Sequence, residues 1–177
     1  MKIRFPRAFT HCTSCSLHKT RRNIVLGAGD VPCEVMFIGE APGLSEDVLG
    51  VPFIGASGKL LRSAIADSGA KCRIYFTNVI ACHPPGDDGE TNRKPTPSEI
   101  GTCLPRLLYT YFALRPQRVI LLGETAKRYT LFHWPDASCL PHPAYVLRKG
   151  GVGSPYYRAF VVDLWSAMQR LPEEASS

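Results

Sequence analysis

Four cysteines are spaced as the ligands of a metal centre could be. Cys12 and Cys15 form a C-x-x-C pair, and Cys82 and Cys103 lie on either side of a polar loop. Four thiolates bind either a tetrahedral zinc ion or an iron–sulfur cluster, and the spacing leaves both open. A redox pair is a further alternative, but Cys12 and Cys15 precede the first predicted strand instead of lying in a βαβ unit. The cysteines without partner spacing are interpreted as core or surface thiols: Cys33, Cys72 and Cys139.

Three loops that follow predicted strands carry residues suited to bind a ligand. A loop over residues 39–58 is rich in glycine and proline and contains Phe53, whose flat ring could stack on a ligand. Asn78 ends the second strand with a carboxamide that donates and accepts, and His142 lies in a third loop. Each also has a purely structural interpretation: Phe53 as a core residue, Asn78 as a turn residue and His142 as a structural histidine. Because ligands of open parallel sheets bind at the carboxyl ends of the strands, the three loops together predict a site.

The sheet that must position these loops follows from the apolar pattern. Short β-branched runs at residues 34–39, 73–79 and 118–123 predict three buried strands. Helical patterns separate them, which indicates a mostly parallel sheet.

The longest predicted helix has a complete start signal. Thr96 is a candidate N-cap, Pro97 stands at the first helical position, and Glu99 follows three residues after the cap. Apolar residues at three- and four-residue spacing continue this helix to about Leu114. Further helices are predicted at residues 58–65 and 154–169.

Length and composition exclude several classes of protein. The 177 residues predict a single domain over residues 1–177, with a frayed tail from about residue 172. No apolar run reaches about 18 residues, so we expect no membrane span, no export and a cytoplasmic location. Seven cysteines in such a compartment argue against a disulfide framework. A net charge of +6 suits a polyanion such as nucleic acid without requiring one.

Taken together, the motifs resemble those of family 4 uracil-DNA glycosylases. The matching segments, in the family's order, are Cys12-x-x-Cys15, Gly39-Glu40-Ala41-Pro42-Gly43 with Glu46-Asp47, Gly50-x-Pro52-Phe53-Ile54-Gly55, Thr77-Asn78-Val79, Cys82 followed by Pro84-Pro85, Asn92-Arg93 with Pro95, Glu99-x-x-x-Cys103-x-Pro105, and His142-Pro143-Ala144. Any one of them is weak, but their joint occurrence from about Cys12 to Arg148 is specific.

The resemblance implies a fold, a reaction and a cofactor. The fold would be an α/β three-layer α/β/α sandwich around a mostly parallel four-stranded sheet. The enzyme would be a monomer that flips uracil out of duplex or single-stranded DNA and hydrolyses its N-glycosidic bond in base-excision repair. A [4Fe-4S] cluster would be bound by Cys12, Cys15, Cys82 and Cys103.

The resemblance also implies roles in base recognition. Phe53 would stack on the flipped pyrimidine, and Asn78 would pair with its polar edge. Glu46 would lie near C5 and exclude a 5-methyl group. His142 would donate a hydrogen bond to O2, where negative charge develops as the base departs.

The group that acts on water is harder to assign from the first loop. Related families place Asp or Asn one or two positions into it, where this chain has Ala41 and Pro42. Glu40 is the nearest candidate for positioning water or supporting the cationic sugar. Gly39 and Ala41 complete the predicted base-binding set.

Basic residues beside these motifs are predicted to contact DNA. Phosphate contacts by such residues make affinity fall with salt, although basic clusters are commonly just solvated faces. Tyr145 and Arg148 would fill the space that the flipped base vacates. The full predicted set is Lys19, Arg21, Arg22, Ala144, Tyr145 and Arg148.

One departure from the family pattern keeps alternatives open. The loop over residues 86–94 is longer than the family's short turn and could change the substrate. Excision of another deaminated or modified base is therefore an alternative, and a non-catalytic DNA-binding or damage-sensing module is another. His83 and the Arg93-Lys94 pair only faintly resemble the loop of a branch that captures uracil covalently, so covalent capture is not expected.

Overall fold

A mostly parallel sheet forms the centre of the protein. The computed structural model describes residues 2–89 and 91–169, and within these the sheet has five strands in the order β1-β3-β2-β4-β5. Strands β2 to β5 run parallel, and β1 pairs antiparallel with β3. The strands are β1 (Ala28–Gly29), β2 (Val35–Gly39), β3 (Ile74–Asn78), β4 (Arg118–Leu122) and β5 (Ser138–Leu140).

The sheet confirms the three predicted strands and adds two. The predicted runs at residues 34–39, 73–79 and 118–123 are β2, β3 and β4. With β5 they form the four-stranded parallel sheet that the resemblance implied, and β1 extends it by an antiparallel edge. Strand β1 has two residues and β5 three, which is too short for an alternation of apolar and polar residues to mark them.

Helices cover both faces of the sheet. They are α1 (Arg7–Thr10), α2 (Leu44–Leu49), α3 (Ala56–Asp67), α4 (Pro97–Leu114), α5 (Glu124–Thr130), α6 (Pro143–Arg148) and α7 (Pro155–Gln169), with 3₁₀ turns at Ser16–Lys19 and Leu131–His133. None of the helices within the described residues is long and apolar enough to span a bilayer. The tail predicted to fray lies outside those residues.

Alternation along β2 produces two cores and hence three layers. Met36 and Ile38 point to one face, where Leu107 of α4 packs against the sheet. Phe37 points to the other face, where Phe160 of α7 belongs to the second cluster. Every residue of β2 is buried, as expected for a central parallel strand covered on both sides.

The predicted start of α4 is confirmed atom by atom. The Glu99 backbone N–H donates to Thr96 Oγ1 at 3.2 Å, and the Thr96 N–H donates to Glu99 Oε2 at 2.8 Å. Pro97 occupies the first helical position, where its missing N–H costs nothing. This capping box fixes where α4 begins, and therefore where Cys103 lies relative to the sheet.

Candidate functional site

Asn78 and Phe53 meet over Gly39 at the carboxyl ends of β2 and β3. Gly39 and Asn78 are partners in the parallel register of these strands. A Cβ atom at Gly39 would lie 2.5 Å from Asn78 Oδ1 and 2.6 Å from Phe53 Cζ. Only glycine leaves room for both side chains, so the predicted convergence of the first two loops is confirmed.

Phe53 is both a core residue and a wall of this site. It is 6% exposed, its ring packs on Phe76 at 5.6 Å between centroids, and its φ of 56° lies in the left-handed region. A non-glycine residue in that region carries strain on the order of 1–3 kcal/mol, which the surroundings must offset. Gly58 permits this, because a Cβ there would lie 2.1 Å from the Phe53 carbonyl, and Arg62 Nε donates to the same oxygen at 3.3 Å.

Glu46 holds the loop that carries Phe53. Its Oε1 accepts hydrogen bonds from the backbone N–H groups of Ile54 at 3.0 Å and Gly55 at 2.8 Å. Its Oε2 accepts from the Gly43 N–H at 3.1 Å. Both oxygens of this buried carboxylate are thus engaged with backbone amides, which makes Glu46 a loop-positioning residue. Its predicted contact with C5 of a base stays a prediction.

His142 is the N-cap of α6, and this fixes its proton. Its Nδ1 accepts a hydrogen bond from the Ala144 N–H at 3.2 Å, so in the neutral ring the proton is assigned to Nε2. Burial lowers the pKa of His142, with Arg148 acting in the same direction and Glu40 opposing it. The ring is therefore neutral at pH 7 with Nε2–H as its donor. The Ala144 N–H thus caps the histidine ring, and the predicted contact of Ala144 with DNA stays a prediction.

Glu40 faces His142 from the end of β2. It is close enough to act electrostatically on the imidazole, and its Oε2 accepts a short hydrogen bond from Thr125 Oγ1. Thr125 lies in the first turn of α5, shortly after β4, and belongs to none of the motifs that mark the site in the sequence. Ala41 packs against the core. Of the two carboxylates of this loop that act on His142, Glu40 has the larger effect and Glu46 the smaller.

The four predicted ligand cysteines lie close enough to interact electrostatically. Burial raises the pKa of the Cys82 thiol to about 11, and Cys103 and Cys15 act on it in the same direction. Burial likewise raises the pKa of Cys15, with Cys103 and Cys12 adding to the shift. Each sulfur therefore lies within electrostatic reach of others although the residues come from distant parts of the chain.

Donors directed at these sulfurs test whether the site fits an iron–sulfur cluster. The Ala81 N–H donates to Cys103 Sγ at 3.3 Å, and Arg21 Nη1 donates to Cys82 Sγ at 3.6 Å. N–H groups and a guanidinium suit the negative charge of a thiolate-bound cluster. Within the described residues, no three His, Cys, Asp or Glu side chains are grouped tightly enough for a single metal ion. Four thiols with these donors fit a cluster.

Arg21, which is predicted to contact DNA, also has contacts at the cysteine site. Its guanidinium is half-buried and also donates from Nη2 to the Cys12 carbonyl at 2.5 Å. The side chain is directed toward the cysteine site, where the Cys82 sulfur and the Cys12 carbonyl accept its hydrogen bonds. Its predicted contact with DNA stays a prediction.

The neighbouring basic residues are exposed, as a DNA-contacting face requires. Lys19 and Arg22 are exposed. The Asp47 carboxylate accepts hydrogen bonds from the Arg22 N–H at 2.9 and 3.0 Å, which fixes the backbone at Arg22. The sequence alone gave no role for Asp47. On the other side of the site Tyr145 is 40% exposed and Arg148 is exposed.

The long loop over residues 86–94 folds back onto the first motif. Asn92 Nδ2 donates to the Pro42 carbonyl at 3.1 Å, and its Oδ1 lies 3.0 Å from Nε2 of the buried His83. Arg93 forms a two-pronged ion pair with Glu99, at 2.9 and 2.6 Å. Asn92 and Arg93 therefore attach the end of this loop to the first motif and to the start of α4.

Comparison with known proteins agrees with this geometry. A family model for the uracil DNA glycosylase superfamily matches residues 26–166. The chain is 42% identical over 124 residues to a type-4 uracil-DNA glycosylase of Archaeoglobus fulgidus, covering 70% of this chain and 60% of the relative. It is 44% identical over 114 residues to one of Pyrobaculum aerophilum (64% of this chain, 56% of the relative) and 40% identical over 116 residues to one of Thermotoga maritima (65% and 58%). The matches thus span somewhat more than half the length of these relatives.

Proposed function

The chain belongs to the uracil DNA glycosylase superfamily, and we propose on that premise that it removes uracil from DNA by hydrolysing the N-glycosidic bond. The observation that carries the proposal is the cap of α6. It leaves a neutral His142 with an Nε2–H donor, on a ring close enough to the Glu40 carboxylate to feel its charge. Relatives at 40–44% identity are named for the same activity.

Recognition of the base would depend on the two side chains over Gly39. The glycosidic bond is inaccessible inside stacked duplex DNA, so the nucleotide would be flipped into the site. The Phe53 ring would stack on the pyrimidine, and the Asn78 carboxamide would pair with its edge by donating and accepting. Arg106 Nη2 donates to the backbone carbonyl of Asn78, not to its side-chain carboxamide.

Cleavage would depend on charge placed on both sides of the breaking bond. As the bond breaks, negative charge develops on the pyrimidine and positive charge on the sugar. The His142 Nε2–H would donate to O2 of the departing base, where a preorganised donor is worth most. The Glu40 carboxylate, held by Thr125, would stabilise the cationic sugar or hold the attacking water.

The cofactor and the DNA contacts are part of the same proposal. Cys12, Cys15, Cys82 and Cys103 would hold a [4Fe-4S] cluster, which when bound would tie the N-terminal segment to the exit of β3 and to α4. The exposed Lys19, Arg22 and Arg148 would contact phosphates, and Tyr145 would fill the space left by the flipped base.

A base-release panel tests the proposal. Purified protein is incubated with oligonucleotides that carry uracil, hypoxanthine, xanthine or a modified cytosine, in single strands and duplexes, and abasic sites are revealed by alkali. We expect release of uracil and much slower release of the other bases. Untouched uracil with release of another base would overturn the substrate, and salt-sensitive binding without any release would indicate a non-catalytic module.

A further inference from the structure

A buried arginine on α4 lies between the cysteine site and the base-reading end of β3. Arg106 is 3% exposed, and among the described residues no carboxylate lies within ion-pair distance of it. Its Nε is the one buried side-chain nitrogen or oxygen among those residues that has no hydrogen-bond partner. Burying a cation without an anion is costly, so its other contacts must compensate the charge.

Those contacts cluster on the last residues of β3 and the residue that follows. Nη2 donates to the Asn78 carbonyl at 2.7 Å and to the Val79 carbonyl at 3.0 Å. Nη1 donates to Thr77 Oγ1 at 2.8 Å. The planar guanidinium of Arg106 therefore binds the backbone carbonyls of Asn78 and Val79 and the side-chain hydroxyl of Thr77, next to the Asn78 side chain.

The same guanidinium reaches the cysteine site. Its Nη2 lies 3.8 Å from Cys103 Sγ, and the three-residue separation places both side chains on one face of α4. Ala81, three residues after Asn78, donates its N–H to the same sulfur. The end of β3 and Cys103 are thus connected twice, once through backbone and once through Arg106.

The contacts of Arg106 bear on the Asn78 carboxamide, the group proposed to discriminate between bases. A carboxamide that rotates freely presents donor and acceptor in either order, and so discriminates poorly between uracil and cytosine edges. We propose that Arg106 is a positioning residue that fixes the carboxyl end of β3, and with it the Asn78 carboxamide, relative to the cysteine site. The inference rests on the proposed uracil-releasing activity and deepens it.

The test is a double-mutant cycle between Arg106 and Asn78. Arg106→Met removes the fork while keeping a long apolar stem. Arg73→Met is the matched control, because it removes an exposed arginine directly before the other end of β3. We expect Arg106→Met to lower kcat/KM for uracil by about 10- to 100-fold, the range for a lost charged hydrogen bond. The ratio of uracil to cytosine release should fall as well, whereas Arg73→Met should leave both unchanged.

The energetic coupling between Arg106 and Asn78 distinguishes a positioning role of Arg106 from a general loss of structure. If Arg106 acts through Asn78, Arg106→Met should cost little further activity in an Asn78→Ala background, because the group it positions is already absent. Independent, multiplicative losses in the double variant would overturn the inference. Arg106→Lys should recover part of the activity, since it keeps the charge but not the fork.

Iron content and folding provide readouts besides activity. We expect Arg106→Met to retain the wild-type iron content and circular dichroism; parallel loss of iron and activity would mean that Arg106 maintains the cysteine site instead of positioning Asn78. If Arg106→Met does not fold, Thr77→Val removes one acceptor of the fork and should lower the same uracil-to-cytosine ratio. Wild-type protein that releases no uracil defeats the proposed function, whereas active wild type with an unaffected Arg106→Met defeats only this inference.

Discussion

Replacing His142 with asparagine separates the two contacts of its ring. One nitrogen caps α6 through the Ala144 N–H, and the other is free to donate to a departing base. Asparagine is a good N-cap but too short to place a donor where Nε2 lies, so His142→Asn should keep the cap and lose the donor. A preorganised donor to a developing anion is worth about 2.7–4 kcal/mol, so we expect the rate of uracil release to fall by about 10²- to 10³-fold.

His142→Ala removes the cap as well as the donor. It should lose the same activity and, in addition, about 1 kcal/mol of the free energy of unfolding. Single-turnover release of uracil from a labelled oligonucleotide measures the first effect, and urea unfolding measures the second. His133→Ala, in the 3₁₀ turn after α5, is the control and should change neither. An His142→Asn enzyme within about threefold of wild type would refute the assignment of the donor.

The pH dependence follows from the burial of the same ring. Burial lowers the pKa of His142 below its ordinary value of about 6.5, so the neutral form with Nε2–H predominates above that pH. We expect a flat rate above about pH 6.5 and an acid limb below it. The native state binds fewer protons here than the unfolded chain, so the stabilisation is present above the ordinary pKa and is lost as the pH falls through the folded value. An acid limb unchanged in His142→Asn would show that another group titrates.

Three further changes test other parts of the site. Gly39→Ala places a methyl group against Asn78 and Phe53, and should cost about 1–3 kcal/mol of stability together with most of the activity; wild-type urea unfolding would contradict the close contacts. Arg148→Ala should lower the slope of log affinity against log salt by about one, measured by fluorescence anisotropy with uracil-containing DNA, and an unchanged slope would exclude a phosphate contact. Wild-type protein should contain about four irons per chain and Cys82→Ser far less, whereas one zinc per chain in the wild type would overturn the cluster.

Local patterns were sufficient for the elements that make the sheet and for the start of α4. The apolar run of β2 is buried on both faces, so its sequence contains no polar interruptions to obscure it. The capping box of Thr96 and Glu99 lies within four consecutive residues, so its geometry is a local property. Strands β1 and β5 depend on pairing with distant neighbours over two or three residues, and their own sequence has no comparable signal.

The residues that the sequence analysis missed act across long stretches of chain. Thr125 reaches Glu40 across 85 positions, and Arg106 reaches the Asn78 carbonyl across 28. Neither belongs to a recognisable motif, because what they contribute is a distance between elements that only the folded sheet creates. Glu46 shows the converse. It was predicted as a residue of the base-binding site, yet its contacts with three backbone amides depend on how the loop closes.

The proposed catalytic donor, His142, depends on a local sequence feature and on packing between distant parts of the chain. Pro143 disfavours helical geometry at His142 and supplies the first residue of α6, so the histidine becomes the N-cap and its Nδ1 accepts a backbone N–H. The approach of Gly123, where a Cβ would lie 2.9 Å from His142 Cβ, lets the ring pack against the end of β4. The first step fixes which nitrogen carries the proton, and the second buries the ring and keeps it neutral. The His142-Pro143 dipeptide and the close packing at the end of β4 together give His142 an uncharged Nε2–H donor at neutral pH.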